Sequence, residues 1–297
     1  MEPIDKIVFG DNQFFGINHM SQEKAQQLAE QFHDLDSIFR IYRVAFDAGI
    51  RAVMLNSNER AAEICDQFRA QGSDYADLRW YPSIPYPHKY ANLITEVGIV
   101  PAMQSILSSH GSARKGLSAL TRGGMALLSK DAIQLMRMLV DIEMRMFEGL
   151  NVKTVFLQNI VTDLILGLGL KEFFHEYCEH IRKQYRAIPG FITQNMPLLL
   201  DALRRWDVSE VVICTSINKI GYLMSPNLAA YTEALAQNRP STYQIMAMST
   251  LASGALPARE AYEFVNRLNV QSVVFGASSK KNIEETVRLI DLGGGAV

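Results

Sequence analysis

A stretch near the start of the chain, GDNQFFGINH, gathers residue types that carry proton chemistry. Residues 10–19 place one carboxylate, three amides and one histidine around a Phe-Phe pair. A carboxylate beside an imidazole raises the pKa of the histidine and fixes its ring, which suits proton transfer near neutral pH. We therefore predict Asp11 and His19 as an acid–base pair. The alternative is that Asp11 and Asn12 only cap the turn, which Asx side chains do well.

Polar residues also follow the later apolar runs of the chain. Tyr81 is a candidate proton donor, and Lys219 is a candidate imine-forming amine if neighbouring residues exclude water from it. Amides, hydroxyls and a few ionisable groups together suit a small ligand that forms hydrogen bonds. We predict the following substrate-binding residues: Asn12, Asn56, Asn58, Glu59, His88, Gln158, Asn159, Asn195 and Asn218.

The polar groups follow short runs rich in Val, Ile and Phe, and amphipathic stretches separate these runs. Eight strands that alternate with helices over 297 residues predict a parallel (β/α)8 barrel. The C-terminal strand ends of such a barrel meet at one mouth, so the polar residues should converge there. The first turn also lacks the GxGxxG pattern of an open dinucleotide-binding sheet. The predicted strands are 6–10, 52–57, 78–83, 152–159, 187–195, 210–218, 242–249 and 272–279.

One region interrupts the alternation of strands and helices. Residues 84–130 form a long insertion after the third strand, and its second half is rich in Gly, Ser, Arg and Lys. A long segment on the loop side of a barrel is typically a lid or a binding loop, and we predict that role within a single barrel spanning 1–297. The predicted helices are 21–31, 35–48, 59–71, 130–149, 163–185, 196–206, 228–237, 257–269 and 281–291.

The composition argues against several classes of protein. A formal net charge of -2 gives no electrostatic reason to expect a nucleic acid or an anionic membrane as partner. No apolar run reaches the ~18 residues of a membrane-spanning helix, and the N-terminus lacks a signal-peptide pattern. We expect a cytoplasmic protein and leave a homo-oligomer open. Three distant cysteines, and the lack of HxH or HxxxH spacing, predict neither a disulfide nor a metal site.

The segments MAMSTLASGALPAREAYEFV and VVFGASSKKNIEETVRLI resemble the last two β/α units of the aldo-keto reductases. Ser249, Leu251 and Gly254 match the turn S-P-L-x-x-G of that family, with Thr250 in place of the proline. The resemblance is best over about residues 242–291 and implies an NADP site at these two turns, where small residues and a helix N-terminus accept phosphate. The residues implied to bind the cofactor are Ser249, Gly276, Ala277, Ser278, Ser279, Lys280 and Glu285.

The catalytic tetrad of that family is replaced in this chain. The Asp, Tyr and His positions fall at Asn56, Ala61 and Gln158, and the third strand ends in RWYPS without the expected Lys. Asn for Asp and Gln for His keep hydrogen bonding but remove ionisation. The resemblance therefore implies the barrel and the cofactor together with a different proton donor.

Three functions remain open from the sequence. The first is an NAD(P)-linked oxidoreductase on a small polar or phosphorylated metabolite, in which Tyr81, Tyr86 or His19 donates the proton. The second is a non-redox lyase, isomerase or aldolase that uses His19 with Asp11, or Lys219 as imine former. The third is a non-catalytic binding barrel, because a shared fold does not establish a function.

Overall fold

The computed structural model describes residues 1–15, 22–85 and 124–292. Eight strands pair in parallel, each with the next along the chain, and β8 pairs with β1 to close a barrel. The predicted (β/α)8 fold is confirmed. His19, Tyr86, His88 and most of the predicted insertion lie outside the described residues. The strands are β1 (Ile7–Phe9), β2 (Ala52–Asn56), β3 (Arg79–Ile84), β4 (Thr154–Leu157), β5 (Ile188–Thr193), β6 (Val211–Ser216), β7 (Tyr243–Met248) and β8 (Ser272–Phe275).

Helices occupy the connections between the strands. The helix before β4 begins at residue 124, six residues earlier than the sequence predicts, so the last part of the predicted insertion is helical. The helices of the described residues are α1 (Gln22–Gln31), α2 (Leu35–Asp47), α3 (Ala61–Ala70), α4 (Gly124–Met144), α5 (Asn159–Gly167), α6 (Lys171–His180), α7 (Met196–Arg205), α8 (Leu228–Ala236), α9 (Ala258–Val265) and α10 (Lys280–Leu289).

The prediction of one helix over 163–185 is wrong, because two helices occupy that connection. Gly169 adopts a left-handed backbone with φ of 67° and ends α5, a conformation that glycine reaches without a steric cost. The Leu170 N–H then donates to the Ile165 carbonyl, which completes the turn. A π-helical turn, Ile181–Tyr185, continues α6 towards β5.

Alternate residues of each strand point into the barrel, because side chains on a strand alternate between its two faces. The opposite faces pack against the helices and form the larger core. Phe156 fills the interior beside Gly190, where an added Cβ would lie 2.4 Å from the phenyl ring. The interior cluster consists of Ile4, Val8, Ala52, Met54, Tyr81, Phe156, Ile192, Val212, Cys214, Met246 and Val274.

A polar cluster covers the N-terminal end of the barrel. The Tyr81 hydroxyl donates to Asp5 Oδ2 at 2.6 Å, and Arg79 Nε donates to Asp5 Oδ1 at 2.7 Å. The Ile4 N–H donates to Gln244 Oε1 at 2.8 Å. Residues that precede β1 therefore cover this end. The opposite end, at the C-termini of the strands, is the mouth of the barrel.

The contact between Gly190 and Phe156 generates a prediction about stability. Gly190→Ala should lower the free energy of unfolding by about 1–3 kcal/mol, because the new methyl group overlaps the ring of Phe156 and lies 2.9 Å from Thr154 Cγ2. Urea unfolding measures this change. Gly167→Ala is the matched control: its Cβ meets nothing within 4 Å, so its stability should be unchanged or slightly raised. Equal stability of the two variants would contradict this account of the interior.

Candidate active site

Three neighbouring strands each present a polar side chain at the mouth. Asn56, Ser83 and Gln158 stand two residues beyond the interior residues Met54, Tyr81 and Phe156, so the strand alternation points them into the barrel. Asn56 pairs in register with Ser83, and the Gln158 N–H donates to the Ile84 carbonyl at 3.0 Å. The ends of β2, β3 and β4 therefore bring these three side chains together.

A continuous chain of hydrogen bonds connects these side chains to Asp11. Asn56 Nδ2 donates to Asp11 Oδ1 at 2.6 Å, and the Asn56 backbone N–H donates to Asp11 Oδ2 at 2.9 Å. Gln158 Nε2 donates to Asn56 Oδ1 and to Ser83 Oγ, both at 2.6 Å. We call Asp11, Asn56, Gln158 and Ser83 the mouth network. It includes two of the positions where the resemblance expects the tetrad.

The Asp11 carboxyl is the ionisable member of the mouth network. Burial raises its pKa from 3.8 to about 6, and the hydrogen bonds from Asn56 oppose part of this shift. Only 2% of Asp11 is exposed, and both its oxygens accept from Asn56. The carboxyl therefore lies behind Asn56 as seen from the mouth. The buried Tyr42 hydroxyl lies on this side as well, and its pKa is raised by burial and then by the charge of Asp11.

On the other side of the mouth, three of the four strands β5–β8 present apolar side chains, whereas β6 ends in the buried Ser216. Ile192, Met248 and Val274 are the last hydrophobic interior positions of β5, β7 and β8, and Met248 is partly exposed. A ligand at the mouth would meet amide and hydroxyl groups on the β2–β4 side and mainly aliphatic and thioether surface on the other. This is the usual composition of small-molecule sites, where a few polar groups fix orientation within an apolar wall.

The turn after β8 differs from the sequence prediction in one respect. Gly276 was expected to let a phosphate approach the backbone, but the Gln13 carboxamide fills that space. A Cβ on Gly276 would lie 2.1 Å from Gln13 Oε1. Gln13 Nε2 donates to the Gly10 carbonyl at 2.8 Å, whereas Gln13 Oε1 is buried without a partner among the described residues. The lack of a side chain at Gly276 thus makes room for the side chain of Gln13.

The remaining residues of the predicted cofactor site lie together at the β7 and β8 ends. Ser279 Oγ accepts from the Asn282 N–H at 3.3 Å and caps α10, so this hydroxyl has a structural role. Ser249 has a left-handed backbone with φ of 53°. Ala277, Ser278 and Glu285 are partly buried at the same turn and helix, and Lys280 is exposed.

Several predicted substrate-binding amides use their side chains within their own loops. Asn195 Oδ1 caps α7 by accepting from the Leu198 N–H at 3.2 Å. Asn218 is fully buried and bonds both backbone groups of Tyr222. Its Oδ1 accepts from the Tyr222 N–H, and its Nδ2 donates to the Tyr222 carbonyl, both at 2.8 Å. Asn58 Oδ1 accepts from the Arg60 N–H at 2.9 Å and forms a turn. These residues lie at the mouth end, but they shape loops.

Two predicted catalytic residues do not join the mouth network. The expectation that Tyr81 ends β3 at the mouth is wrong: β3 continues to residue 84, and the Tyr81 hydroxyl bonds Asp5 at the opposite end. Lys219 lies beside the mouth but is about half exposed and pairs with Glu260 Oε1 at 2.5 Å. Water therefore reaches its amine, which removes the desolvation that imine chemistry needs.

Of the other residues predicted for the site, two are exposed, one begins a helix and one lies outside the described residues. Asn12 and Glu59 are exposed, and Asn159 begins α5 immediately after Gln158. The pairing of Asp11 with His19 stays a prediction, because His19 lies outside the described residues. Ser83 was missed as a site residue, although it follows Tyr81 by two positions and so shares its face of β3.

No metal cluster and no spanning helix stand out in the described part of the chain. Residues 1–15, 22–85 and 124–292 contain no group of three His, Cys, Asp or Glu side chains arranged to hold a metal ion. The same ranges contain no helix that is both long and apolar enough to cross a membrane. Cys65, Cys178 and Cys214 are all buried as free thiols.

The buried carboxyl of Asp11 generates a prediction about pH. The folded protein holds the Asp11 proton more tightly than the unfolded chain, so ionisation should cost about 3 kcal/mol of stability as pH rises from about 4 to about 6. Above that range the carboxyl is ionised in both states and its contribution to the slope ends. Asp11→Asn should therefore reduce the fall in unfolding free energy over this interval, as measured by urea unfolding at successive pH values.

Asp201→Asn is the matched control for this experiment. Asp201 is an exposed carboxylate paired with Arg205, so its replacement also removes one carboxylate but should leave the contribution of Asp11 to the fall in place. A slope in Asp11→Asn equal to that of the wild-type protein would show that Asp11 does not titrate as the geometry requires.

Comparisons with known proteins agree on the fold. No protein-family model matches the chain, and no curated protein matches it. A crystal structure from Pseudomonas aeruginosa, named as a candidate aldo-keto reductase, aligns with a TM-score of 0.58 at 13% identity, over 96% of this chain and 90% of that one. An aldo/keto reductase from Brucella melitensis aligns at 0.51 and 10% identity, over 96% and 88% of the two chains.

An aldo-keto reductase crystallised with NADPH aligns with a TM-score of 0.52 at 12% identity, over 97% of this chain and 80% of that one. Likeness at such low identity establishes the architecture and leaves the activity open. It agrees with the resemblance that the sequence carries over its last two β/α units. The chain has the (β/α)8 barrel fold of the aldo-keto reductases.

Proposed function

We propose that the protein is an NAD(P)-linked oxidoreductase that acts on a small polar substrate at the mouth of the barrel. The observation that carries this proposal is the mouth network. A 2.6 Å hydrogen bond joins Asn56, the last residue of β2, to Gln158, which follows β4. The resemblance expects two members of the tetrad at these positions. Hydrogen-bonding groups are thus gathered where that family gathers its catalytic groups.

The residues of the β7 and β8 turns fit a dinucleotide phosphate by their chemistry. Ser278, Lys280 and Lys281 offer donors beside the N-terminus of α10, whose dipole favours an anion. The unpartnered Gln13 Oε1 beside Gly276 is an acceptor for an amino or hydroxyl group. When bound, the nicotinamide group would supply the hydride-transfer chemistry.

The chain's own residues would then bind and orient the substrate. Asn56, Ser83 and Gln158 would hold its polar group, while Met248 and Ile192 would exclude water from the opposite side. Asp11 would position Asn56 without touching the substrate, because it lies behind that amide. The proton source is assigned to His19, which follows Asp11 by eight residues.

A second candidate function is a non-redox lyase or isomerase. The observation that favours it is Ala61, which is fully buried at the position of the family's tyrosine and offers no hydroxyl group. In this function the turn after β8 would hold a substrate phosphate, and His19 with Asp11 would exchange the proton. The ion pair of Lys219 with Glu260 disfavours the imine variant of this chemistry.

A titration with NADPH separates the two functions. The emission of NADPH itself should be the signal, because Trp80 is buried near the N-terminal end of β3 and Trp206 follows the C-terminus of α7. We expect saturable binding at micromolar NADPH, with inorganic phosphate competing only weakly. No binding of NADPH would contradict the oxidoreductase proposal and favour the second candidate.

A pair of lysine variants locates the binding. Lys280→Glu should weaken NADPH binding by about tenfold or more, because it places a negative charge beside the phosphate turn. Lys183→Glu is the matched control, since Lys183 is as exposed as Lys280 and also pairs with a glutamate one helical turn away. Equal effects of the two substitutions would remove the phosphate site from the β8 turn.

A further inference from the structure

The direction of the hydrogen bonds in the mouth network is fixed at one end. An ionised carboxylate can only accept, so Asn56 must turn its Nδ2 group towards Asp11. Asn56 Oδ1 then faces Gln158, which must turn its Nε2 group towards Asn56. The charge on Asp11 therefore dictates the orientation of two successive amides.

The orientation of Gln158 determines what it can offer to a ligand. Its Nε2 group donates to both Asn56 Oδ1 and Ser83 Oγ, which uses its two hydrogens inside the network. The Oε1 atom lies on the other side of the same planar amide, directed away from those partners.

We propose that Asp11 is a positioning residue that makes Gln158 an acceptor at the mouth, so that the substrate group bound there is a hydrogen-bond donor, an alcohol hydroxyl or a protonated amine. The inference rests on the proposed function only for the place where the substrate binds. A carbonyl oxygen at the same point would face Oε1 with no hydrogen between the two acceptors. A substrate presented as an alcohol would form the bond, so the oxidised form of the substrate is the weaker ligand.

Reversal of the network tests the role of Asp11. Gln158→Glu places an acceptor opposite Asn56 Oδ1, and Asp11→Asn weakens the restraint at the other end. In the double variant the new amide at position 11 can donate to Asn56 Oδ1, and Asn56 can donate to the new carboxylate at position 158. The side-chain bonds are thus restored in the opposite direction, while the Asn56 backbone N–H still donates to the amide oxygen at position 11. The double variant should unfold at a temperature higher than Gln158→Glu alone by about 2 °C or more, measured at pH 8.

The control combines Gln158→Glu with Asp163→Asn. Asp163 accepts from Thr193 Oγ1 and from the Gln194 N–H outside the mouth network, so its replacement should not rescue Gln158→Glu. Rescue by Asp11→Asn alone supports the proposal, including the case in which Gln158→Glu fails to fold and the double variant folds. Additive losses, or equal rescue by both partners, would overturn it.

A second measurement tests the ligand without cofactor or turnover. Propan-2-ol and acetone share one skeleton and differ only by a hydroxyl or a carbonyl group at the central carbon, so propan-2-ol has one hydrogen-bond donor and acetone has none. The side-chain amide signal of Gln158, in protein labelled with 15N glutamine, should respond to propan-2-ol with a dissociation constant about tenfold lower than to acetone. Asp11→Asn should reduce this preference, whereas Asp163→Asn should keep it.

Equal responses to the two probes, or none to either, would overturn the assignment of Gln158 as acceptor. These outcomes are distinct from a failure of the proposed function, which the NADPH titration reports. A protein that fails to bind NADPH but still prefers propan-2-ol to acetone through Gln158 would retain this inference under the non-redox function.

Discussion

A buried carboxylate must accept hydrogen bonds, and this requirement of Asp11 organises the mouth of the barrel. Burial of an unpaired charge costs far more than a protein can tolerate. Asn56 meets the requirement twice, with its backbone N–H at 2.9 Å and its side-chain amide at 2.6 Å. The segment after β1 is thereby attached to the last residue of β2. The direction of the hydrogen bonds then passes to Gln158 and Ser83 on the next two strands.

The alternation of side chains along the strands explains why these groups meet only at one end. Inward positions below the mouth are occupied by Tyr81 and Phe156, and Gly190 makes room for the phenyl ring. The hydroxyl of Tyr81 finds its partner, Asp5, at the N-terminal end, so the interior separates two polar layers. Because of the same alternation, a small error in the predicted end of a strand assigns the wrong residue to the mouth. The sequence prediction assigned Tyr81 to the site. Tyr81 instead lies in the interior, and the site residue of β3 is Ser83, two positions later.

The sequence predicted the larger arrangement because strand runs and helical periodicity are local signals. All eight strands lie within the predicted ranges or one residue beyond them. The partners of individual side chains depend on contacts that are distant in sequence. Asn195 and Asn56 both lie at the ends of predicted strands, yet Asn195 caps a helix, whereas Asn56 and Gln158 bond each other across 102 positions. Gln13 likewise fills the space above Gly276 only because β1 closes onto β8, and no local pattern indicates that contact.

A carboxylate lies close to the positions where the resemblance expects the tetrad. The resemblance places an aspartate at the end of β2, where this chain has Asn56, but Asp11 supplies a carboxylate from the end of the neighbouring strand β1. Asn56 and Gln158 cannot exchange protons as carboxyl and imidazole groups do, yet they transmit orientation, because each amide has one donating and one accepting side. As proposed here, such a network would select the polarity of its ligand without supplying the proton. Under the proposed function, the chemical step would depend on a proton donor outside the mouth network, and the mouth network would determine which group is presented to it.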